Sequence, residues 1–294
     1  MPRSWPKSTV RSRHWPGAAA PRVPFVVLAI ILASTVAACG RGFEPGKIRA
    51  SDDLYKASLR EFQRKKWENA VAGFELLTSQ LPARDTLLPR VYWYLGQAHA
   101  KRGEHLLSAQ AYSRINDAFP DDSLADDALF EQGKEYRKLW RKPMLDPEYG
   151  RTALLTFRSL GATYPESPLV APAEQEIAKL NDMLAKKDFE TGEHYLRRKA
   201  YDSAIIYFRD VTRTYAETPT ARNAYLRLVD AFRAINYKED IAEVCGEMRR
   251  SYPSDAEVQR ACGTGPTASA PATGPPAAPA PAPPPPSQQT TPRG

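Results

Sequence analysis

Few side chains in this sequence of 294 residues are spaced for catalysis. The four His are His14, His99, His105 and His194. No HExxH, CxxC, GxSxG or P-loop motif is present. Carboxylate pairs such as Asp121-Asp122 lie at predicted helix starts, where the helix dipole alone favours them. We therefore predict a protein that is not an enzyme, with no catalytic residues, no cofactor and no metal site.

Cys39 is the residue with the clearest covalent chemistry. Basic residues precede an apolar run, Phe25–Val36, that is too short to span a bilayer as a helix. The run leads into Ala37-Ala38-Cys39, which resembles the bacterial lipobox, where small residues precede a Cys that is diacylated and becomes the mature N-terminus. Residues 1–38 are thus predicted to be a lipoprotein signal peptide. Gly40 is not the Asp that retains such lipoproteins in the inner membrane, so the resemblance implies an outer-membrane anchor facing the periplasm. The alternative is an ordinary signal peptide with Cys39 incidental.

Cys245 and Cys262 are the other two cysteines. A Pro-ended turn and a short predicted helix separate them, in a compartment that permits disulfides. A disulfide would attach the last helix to the helix before it. Alternatively, Cys245 is a buried thiol and Cys262 a free one, and the sequence leaves both possibilities open.

The charge of the chain does not indicate a nucleic-acid partner. Lys and Arg number 41 against 34 Asp and Glu, a net charge of +7. Residues 1–38 contain five of the basic residues and no acidic one, which leaves 36 basic against 34 acidic side chains. That balance is typical of an ordinary solvated surface. We predict no nucleic-acid partner.

The stretch from Tyr92 to Pro120 has the spacing of a tetratricopeptide repeat, a helix–turn–helix unit of about 34 residues. Gly96 and the small pair Ser108-Ala109 stand where the two helices must cross closely, and Arg102-Gly103-Glu104 supplies the turn. The final Pro ends the second helix. One such repeat cannot bury its own apolar face, so neighbouring repeats are predicted.

Alignment on the final Pro predicts five repeats within residues 51–262, an all-α tetratricopeptide-repeat solenoid. The third repeat has an enlarged inter-helix loop, and one long helix runs from Pro172 to about Lys199. The fourth has Ala216 where the final Pro is expected. Thr218-Pro219 and the box Ser254-x-x-Glu257 are predicted helix N-termini.

The segments outside the repeats have linker compositions. Residues 39–50 are broken by Gly and Pro and are predicted to be a flexible tether. Residues 263–294 contain eleven Pro and, besides these, no apolar side chain larger than Ala, so we predict a disordered tail. This tail is either a passive extension or a Pro-rich segment that binds a partner.

In such solenoids the first helix of each repeat lines a concave face, which predicts a substrate-peptide groove. The residues at these positions are Tyr55, Leu59, Phe62, Trp93, Gln97, Phe130, Lys134 and Arg137. Aromatic rings with scattered positive charge suit an extended peptide that carries aromatic side chains. The alternative is that these rings pack on neighbouring repeats.

Residues 39–255 resemble the BamD family, the lipoproteins of the bacterial machinery that assembles outer-membrane β-barrels. The resemblance covers the lipobox, the five repeats and the enlarged loop followed by LDPEYGRTALLTFRSL. It also covers the long helix with Ala185-Lys186, Glu193-x-Tyr195 and Ala200-Tyr201. The Pro-rich tail is not part of the family pattern.

The resemblance implies two binding surfaces. The N-terminal repeats would receive unfolded barrel precursors through a C-terminal strand that ends in an aromatic residue. The C-terminal repeats would dock on a POTRA domain of the barrel insertase, and the implied contacts are Tyr195, Arg198, Tyr201, Tyr207 and Arg209. The best-studied members of the family have an Arg at the position of Tyr207 that pairs with an insertase acid, so here either Arg209 replaces it or the contact differs.

We therefore predict a non-enzymatic scaffold and receptor of outer-membrane β-barrel assembly. Its expected partners are the insertase, other assembly lipoproteins, unfolded precursors and, through the lipid anchor, the membrane. The alternative is a periplasmic repeat lipoprotein that coordinates cell-wall synthesis or envelope constriction. Such proteins often have a coiled-coil segment ahead of the repeats, and none is apparent between Cys39 and Ser51.

Overall fold

The structure is a computed structural model that describes residues 42–263. Cys39, the predicted signal peptide and the Pro-rich segment from residue 264 lie outside these residues. Within them the chain forms helices and no strand, and the all-α tetratricopeptide-type prediction is confirmed. The helices are α1 (Ser51–Gln63), α2 (Trp67–Gln80), α3 (Leu88–Arg102), α4 (His105–Ala118), α5 (Ala125–Leu139), α6 (Glu148–Thr163), α7 (Val170–Arg197), α8 (Tyr201–Thr214), α9 (Pro219–Ala234), α10 (Lys238–Ser251) and α11 (Ala256–Cys262).

The chain divides into two compact units, one ending at Gln80 and the other beginning at Leu81. In the first unit, α1 and α2 pair around Leu54, Phe74 and Leu77, which are fully buried. A short 3-10 turn at Pro45–Lys47 precedes them. The Phe43 ring lies close to Gly73, so part of the segment predicted to be a tether packs on the first repeat.

The second unit contains four consecutive helix pairs, α3/α4 to α9/α10, followed by α11. The predicted long helix is confirmed, because α7 runs without a break for 28 residues. The enlarged loop joins α5 to α6, and Trp140 at its start is 2% exposed.

Each of three helix pairs in this unit crosses at a Gly that lies under an aromatic ring. A Cβ on Gly96, Gly133 or Gly192 would come within 2.8, 2.7 or 2.6 Å of the ring of Tyr112, Phe157 or Phe208. In the first of these crossings, the Ser108 hydroxyl also donates a hydrogen bond to the Gly96 carbonyl (2.8 Å). The predicted role of the small residues is therefore confirmed.

The short turns between paired helices share one backbone feature. Gly103, between α3 and α4, adopts φ +77°, and its neighbour Glu104 donates its N–H to the His99 carbonyl. Lys65, Lys199 and Asn236 adopt φ near 60° in the corresponding turns of other pairs. Only the turn at Gly103 uses glycine, which adopts a positive φ without steric cost. The other three turns adopt it with ordinary residues, so the packing of the paired helices imposes this conformation.

In the second unit, the second helix of each pair ends at an aromatic C-cap and not at the Pro position that follows it. The N–H groups of Phe119, Tyr164, Tyr215 and Tyr252 each donate to the carbonyl four residues earlier. Tyr215 does so although Ala216 replaces the expected Pro. The Pro is therefore not required to end the fourth repeat.

Two predicted N-caps have different outcomes. The Thr218 hydroxyl accepts from the Ala221 N–H at the start of α9, as predicted. The capping box at Ser254 is wrong, because Asp255 is the N-cap of α11 and accepts from the N–H groups of Glu257 and Val258. The Asp255 carboxylate, one residue later, satisfies free N–H groups at this helix end instead.

Candidate functional site

The predicted groove residues of the first unit lie on α1 and are half-buried. The Tyr55 ring packs at 6.2 Å from Phe74, and the Phe62 ring at 5.1 Å from Trp67. Leu59, between them, is also half-buried. These side chains divide their surface between the helix pair and solvent.

In the second unit, the predicted Trp93 and Phe130 occupy the same place in successive repeats. Each stands three residues before a crossing Gly, on the first helix of its pair. The Trp93 ring packs at 5.3 Å from Tyr112 and the Phe130 ring at 5.6 Å from Phe157. Both rings are half-buried, so each packs inside its own repeat and keeps part of its surface open to solvent.

Two residues outside the predicted groove continue this series. Phe189 stands three residues before Gly192, and its ring packs at 5.5 Å from Phe208. Leu226 takes the corresponding place on α9, three residues before Val229. The spacing Trp93-x2-Gly96 is repeated at Phe189-x2-Gly192, and this signal could have extended the predicted groove into the fourth repeat.

The predicted polar groove residues are partly engaged within the protein. Lys134 Nζ lies 5.4 Å from the centre of the Phe130 ring and pairs with Glu131 (2.6 Å). Arg137 Nε lies 2.9 Å from Glu176 Oε2 on α7. Gln97 is half-buried one turn after Trp93. Positive charge therefore lies beside the rings, but local carboxylates balance it.

A cleft of about 510 Å³ lies where α7, α9 and α11 meet. Phe189 and Leu226 supply its apolar wall, and its polar lining includes Asn223, Arg227 and Arg260. Arg227 pairs with Glu193 (2.8 Å) and with Asp230 (3.1 Å), so its charge is already balanced. The cleft is therefore lined by Phe189 and Leu226, which continue the series of Trp93 and Phe130, and its charged side chains nearly balance.

α11 forms one wall of this cleft and is attached in two ways. Arg222 on α9 donates two hydrogen bonds to the Asp255 carboxylate, at 2.5 and 2.9 Å. The Arg222 guanidinium holds the pKa of this carboxyl well below its usual range. The sulfur atoms of Cys245 and Cys262 also lie at bonding distance, with their Cα atoms 5.4 Å apart. The oxidation state of this pair stays a prediction.

The five predicted insertase contacts fall into two groups around α8. The Tyr195 and Tyr207 rings stack at 5.5 Å and 11°, with the exposed Arg198 at the end of α7 and the half-buried Tyr201 at the start of α8. Arg209, in contrast, is directed to the following repeat. Its guanidinium pairs with Asp240 (2.8 Å) and lies 5.3 Å from the centre of the Phe232 ring.

Two histidines of the described region, His99 and His105, contact nearby carboxylates. His99 is 4% exposed, and its Nδ1 lies 2.7 Å from Glu104. His105 Nδ1 lies 2.6 Å from the buried carboxylate of Glu135. Within residues 42–263, no group of three or more His, Cys, Asp or Glu is placed to hold a metal ion. None of the helices in this range combines the length and apolar character needed to cross a membrane.

Comparison with known proteins places these features in context. Residues 49–245 match the family model YfiO, described as outer membrane lipoprotein. The outer membrane protein assembly factor BamD of Vibrio cholerae serotype O1 is 26% identical over 202 residues, 64% of this chain and 82% of that protein. The protein of the same name from Caulobacter vibrioides is 24% identical over 238 residues, 80% of this chain and 78% of that protein. Among solved structures, a thermophilic TPR protein of Thermus thermophilus matches with a TM-score of 0.34 and 15% identity, covering 72% of this chain and 96% of that one.

Proposed function

Because this chain belongs to the YfiO family of outer membrane lipoproteins, we propose that it is a non-enzymatic assembly factor for outer-membrane β-barrel proteins. Its relatives in two other bacteria carry the name outer membrane protein assembly factor. The match spans four-fifths of their length or close to it, which supports the same role for the described helices. Binding and transfer of a precursor require no bond-making step.

The precursor is proposed to bind along the first helices of the second unit. The observation that carries this assignment is the series of half-buried rings at one repeat position, Trp93, Phe130 and Phe189. Each ring is held from behind by a buried aromatic residue, so little side-chain entropy is lost when a partner packs on its open surface. An extended peptide with aromatic side chains spaced along it matches such a row. Tyr55, Leu59 and Phe62 offer similar surfaces on the first unit.

The insertase is proposed to dock on the Tyr195–Tyr207 pair. Arg209 is a poor replacement for the Arg expected at position 207, because Asp240 and the Phe232 ring already hold its guanidinium. An intermolecular ion pair would have to break that contact first. Stacked tyrosines present flat apolar surface with polar hydroxyls, which is typical of interface centres. Arg198 and Tyr201 would lie at the edge of this contact.

Membrane attachment is proposed to occur through an acylated Cys39. A Cys39→Ala variant should move from the outer-membrane fraction to the soluble periplasmic fraction, since several acyl chains on one residue anchor stably. Immunoblotting of both fractions measures this. An unchanged membrane fraction for the variant would contradict the lipid anchor.

Affinity purification from solubilised membranes tests the assembly role. The tagged, lipidated chain should recover a large protein with POTRA repeats and a C-terminal β-barrel. Tyr207→Ala should weaken that recovery more than Ile206→Ala, its neighbour, which is 67% exposed. Recovery of cell-wall synthases or constriction proteins without an insertase would instead favour the alternative role.

A further inference from the structure

The cleft between α7, α9 and α11 lies next to the point where the described chain ends. Ala261 lines the cleft, and the described residues end at Gly263, two residues later. The exit of the chain is fixed, because Arg249 Nη2 donates to the Cys262 carbonyl (2.9 Å) and Arg233 donates to the Ala261 carbonyl. Whatever follows Gly263 therefore starts at the edge of the cleft.

The chemistry of the cleft selects against a charged occupant. Its lining has two basic side chains, Arg227 and Arg260, and two acidic ones, Asp230 and Glu257. Three of these are already engaged: Arg227 pairs with Asp230 (3.1 Å), and Glu257 with Arg222 (2.8 Å). A strongly acidic or basic peptide would gain little here and would have to displace existing pairs.

The cleft does offer what a polyproline II segment requires. Phe189 and Leu226 form an apolar surface for Pro rings, and Asn223 brings an amide N–H to the same wall. Since a polyproline II helix has no internal hydrogen bonds, its carbonyls accept donors of this kind. Aromatic surfaces with such donors are the usual receptors for Pro-rich segments.

Residues 264–294 supply such a segment. They contain eleven Pro, no acidic residue and one basic residue, Arg293. Two Pro-x-x-Pro pairs, Pro276/Pro279 and Pro283/Pro286, place Pro on one face of a polyproline II helix, which has three residues per turn. Because the segment is covalently attached beside the cleft, its effective concentration there is on the order of millimolar. A contact with a dissociation constant below about a millimolar would then be mostly occupied.

We propose that the chain's own segment 264–294 docks in this cleft, on Phe189 and Leu226, in polyproline II conformation. The contact is intramolecular and does not depend on the assembly role. If precursors use the row of rings as proposed above, the docked segment covers the C-terminal end of that row. It would then compete with a precursor at Phe189 and leave Trp93 and Phe130 open.

Site-specific photo-crosslinking of the full chain tests the contact. Leu226 is replaced by p-benzoylphenylalanine, and circular dichroism checks that the helices are retained. Irradiation of dilute protein followed by proteolysis and mass spectrometry should identify crosslinks to residues 264–294. The matched control carries the same photoreactive residue at Leu155, which is 64% exposed and does not line the cleft. Position 155 should give no such crosslink.

A second variant tests the proposed conformation. Changing Pro276, Pro279, Pro283 and Pro286 to Ser should reduce the crosslink yield at position 226 at least about fivefold, because the apolar face of the polyproline II helix is lost. Isotope-labelled chain mixed with unlabelled chain separates crosslinks within one molecule from those between two. The proposal is overturned if position 226 yields no crosslink, if positions 226 and 155 yield equally, or if the Pro substitutions have no effect. Crosslinks between molecules would also overturn it, since the occupant would then be a second copy.

Discussion

Replacement of Gly192 by Ala tests whether the crossings of the helix pairs depend on close contact. A Cβ at this position would lie 2.6 Å from Phe208 Cε1, far inside the usual carbon–carbon contact of about 3.5–4.0 Å. The Phe208 ring cannot move away easily, because it is fully buried and Phe189 packs against it at 5.5 Å. Inserting a methyl group into such a site typically costs about 1–3 kcal/mol.

Gly246→Ala is the matched control, because it lies inside α10 of the neighbouring repeat. The nearest atom to its added Cβ is Arg250 Nη1 at 3.7 Å, an ordinary contact. Both variants gain up to about 1 kcal/mol from the better helix propensity of Ala. The difference between their unfolding free energies therefore isolates the crowding at the ring, and we expect Gly192→Ala to be less stable by about 1–3 kcal/mol.

The assay is urea unfolding followed by far-ultraviolet circular dichroism, with Cys39→Ser in every sample so that no acyl chain is attached. Thermal midpoints provide a second measure, since about 1 kcal/mol corresponds to roughly 2–4 °C for a chain of this size. Adding Phe208→Leu should reduce the cost of Gly192→Ala, because the smaller side chain leaves room for the methyl group. If Gly192→Ala stabilises the protein as much as Gly246→Ala does, the close-contact explanation of the crossings is refuted.

Three further predictions concern the proposed binding row and the last helix. Trp93→Ala should weaken binding of a peptide from a barrel C-terminus by about 1–3 kcal/mol. Leu107, in the same repeat, is exposed, and Leu107→Ala should leave the affinity unchanged. Calorimetric titration of both variants distinguishes a binding role from a purely structural one. Without reductant, Cys245 and Cys262 should resist alkylation. Changing both to Ser should destabilise the attachment of α11 by about 3 kcal/mol, the value typical of a disulfide that closes a loop with a sequence separation of 17. Two alkylated thiols in the oxidised protein would contradict the disulfide. Asp255→Asn keeps an N-cap acceptor but loses the charge, so it should lower the thermal midpoint at neutral pH. Because Arg222 depresses the pKa of Asp255, the charged carboxylate stabilises the fold at pH values above the unfolded carboxyl pKa of about 4. This contribution is lost as the pH falls below that value. A stability difference between wild type and Asp255→Asn that does not change with pH would refute this assignment.

The helix pairs themselves were predictable from sequence because their determinants are local. Gly96, the small pair Ser108-Ala109 and Tyr112 fall within one repeat, and their spacing alone requires two helices that approach closely. The long α7 was predictable for the same reason, since Pro172 lies in its first turn and no further Pro follows before the helix ends. The same local spacing also contained Phe189, which was overlooked.

Other features depended on residues that are far apart in the chain. Arg209 was an open candidate for an intermolecular ion pair until its pairing with Asp240, 31 residues later, became visible. The cleft combines Phe189, Leu226 and Arg260 from three helices, and no spacing pattern links them. The sequence by itself determined the repeat, its helix pair and the spacing of the rings, because each is set within one or two helices. Only the tertiary structure decided which charges are already paired and where a cleft opens, because both depend on how successive repeats pack against each other.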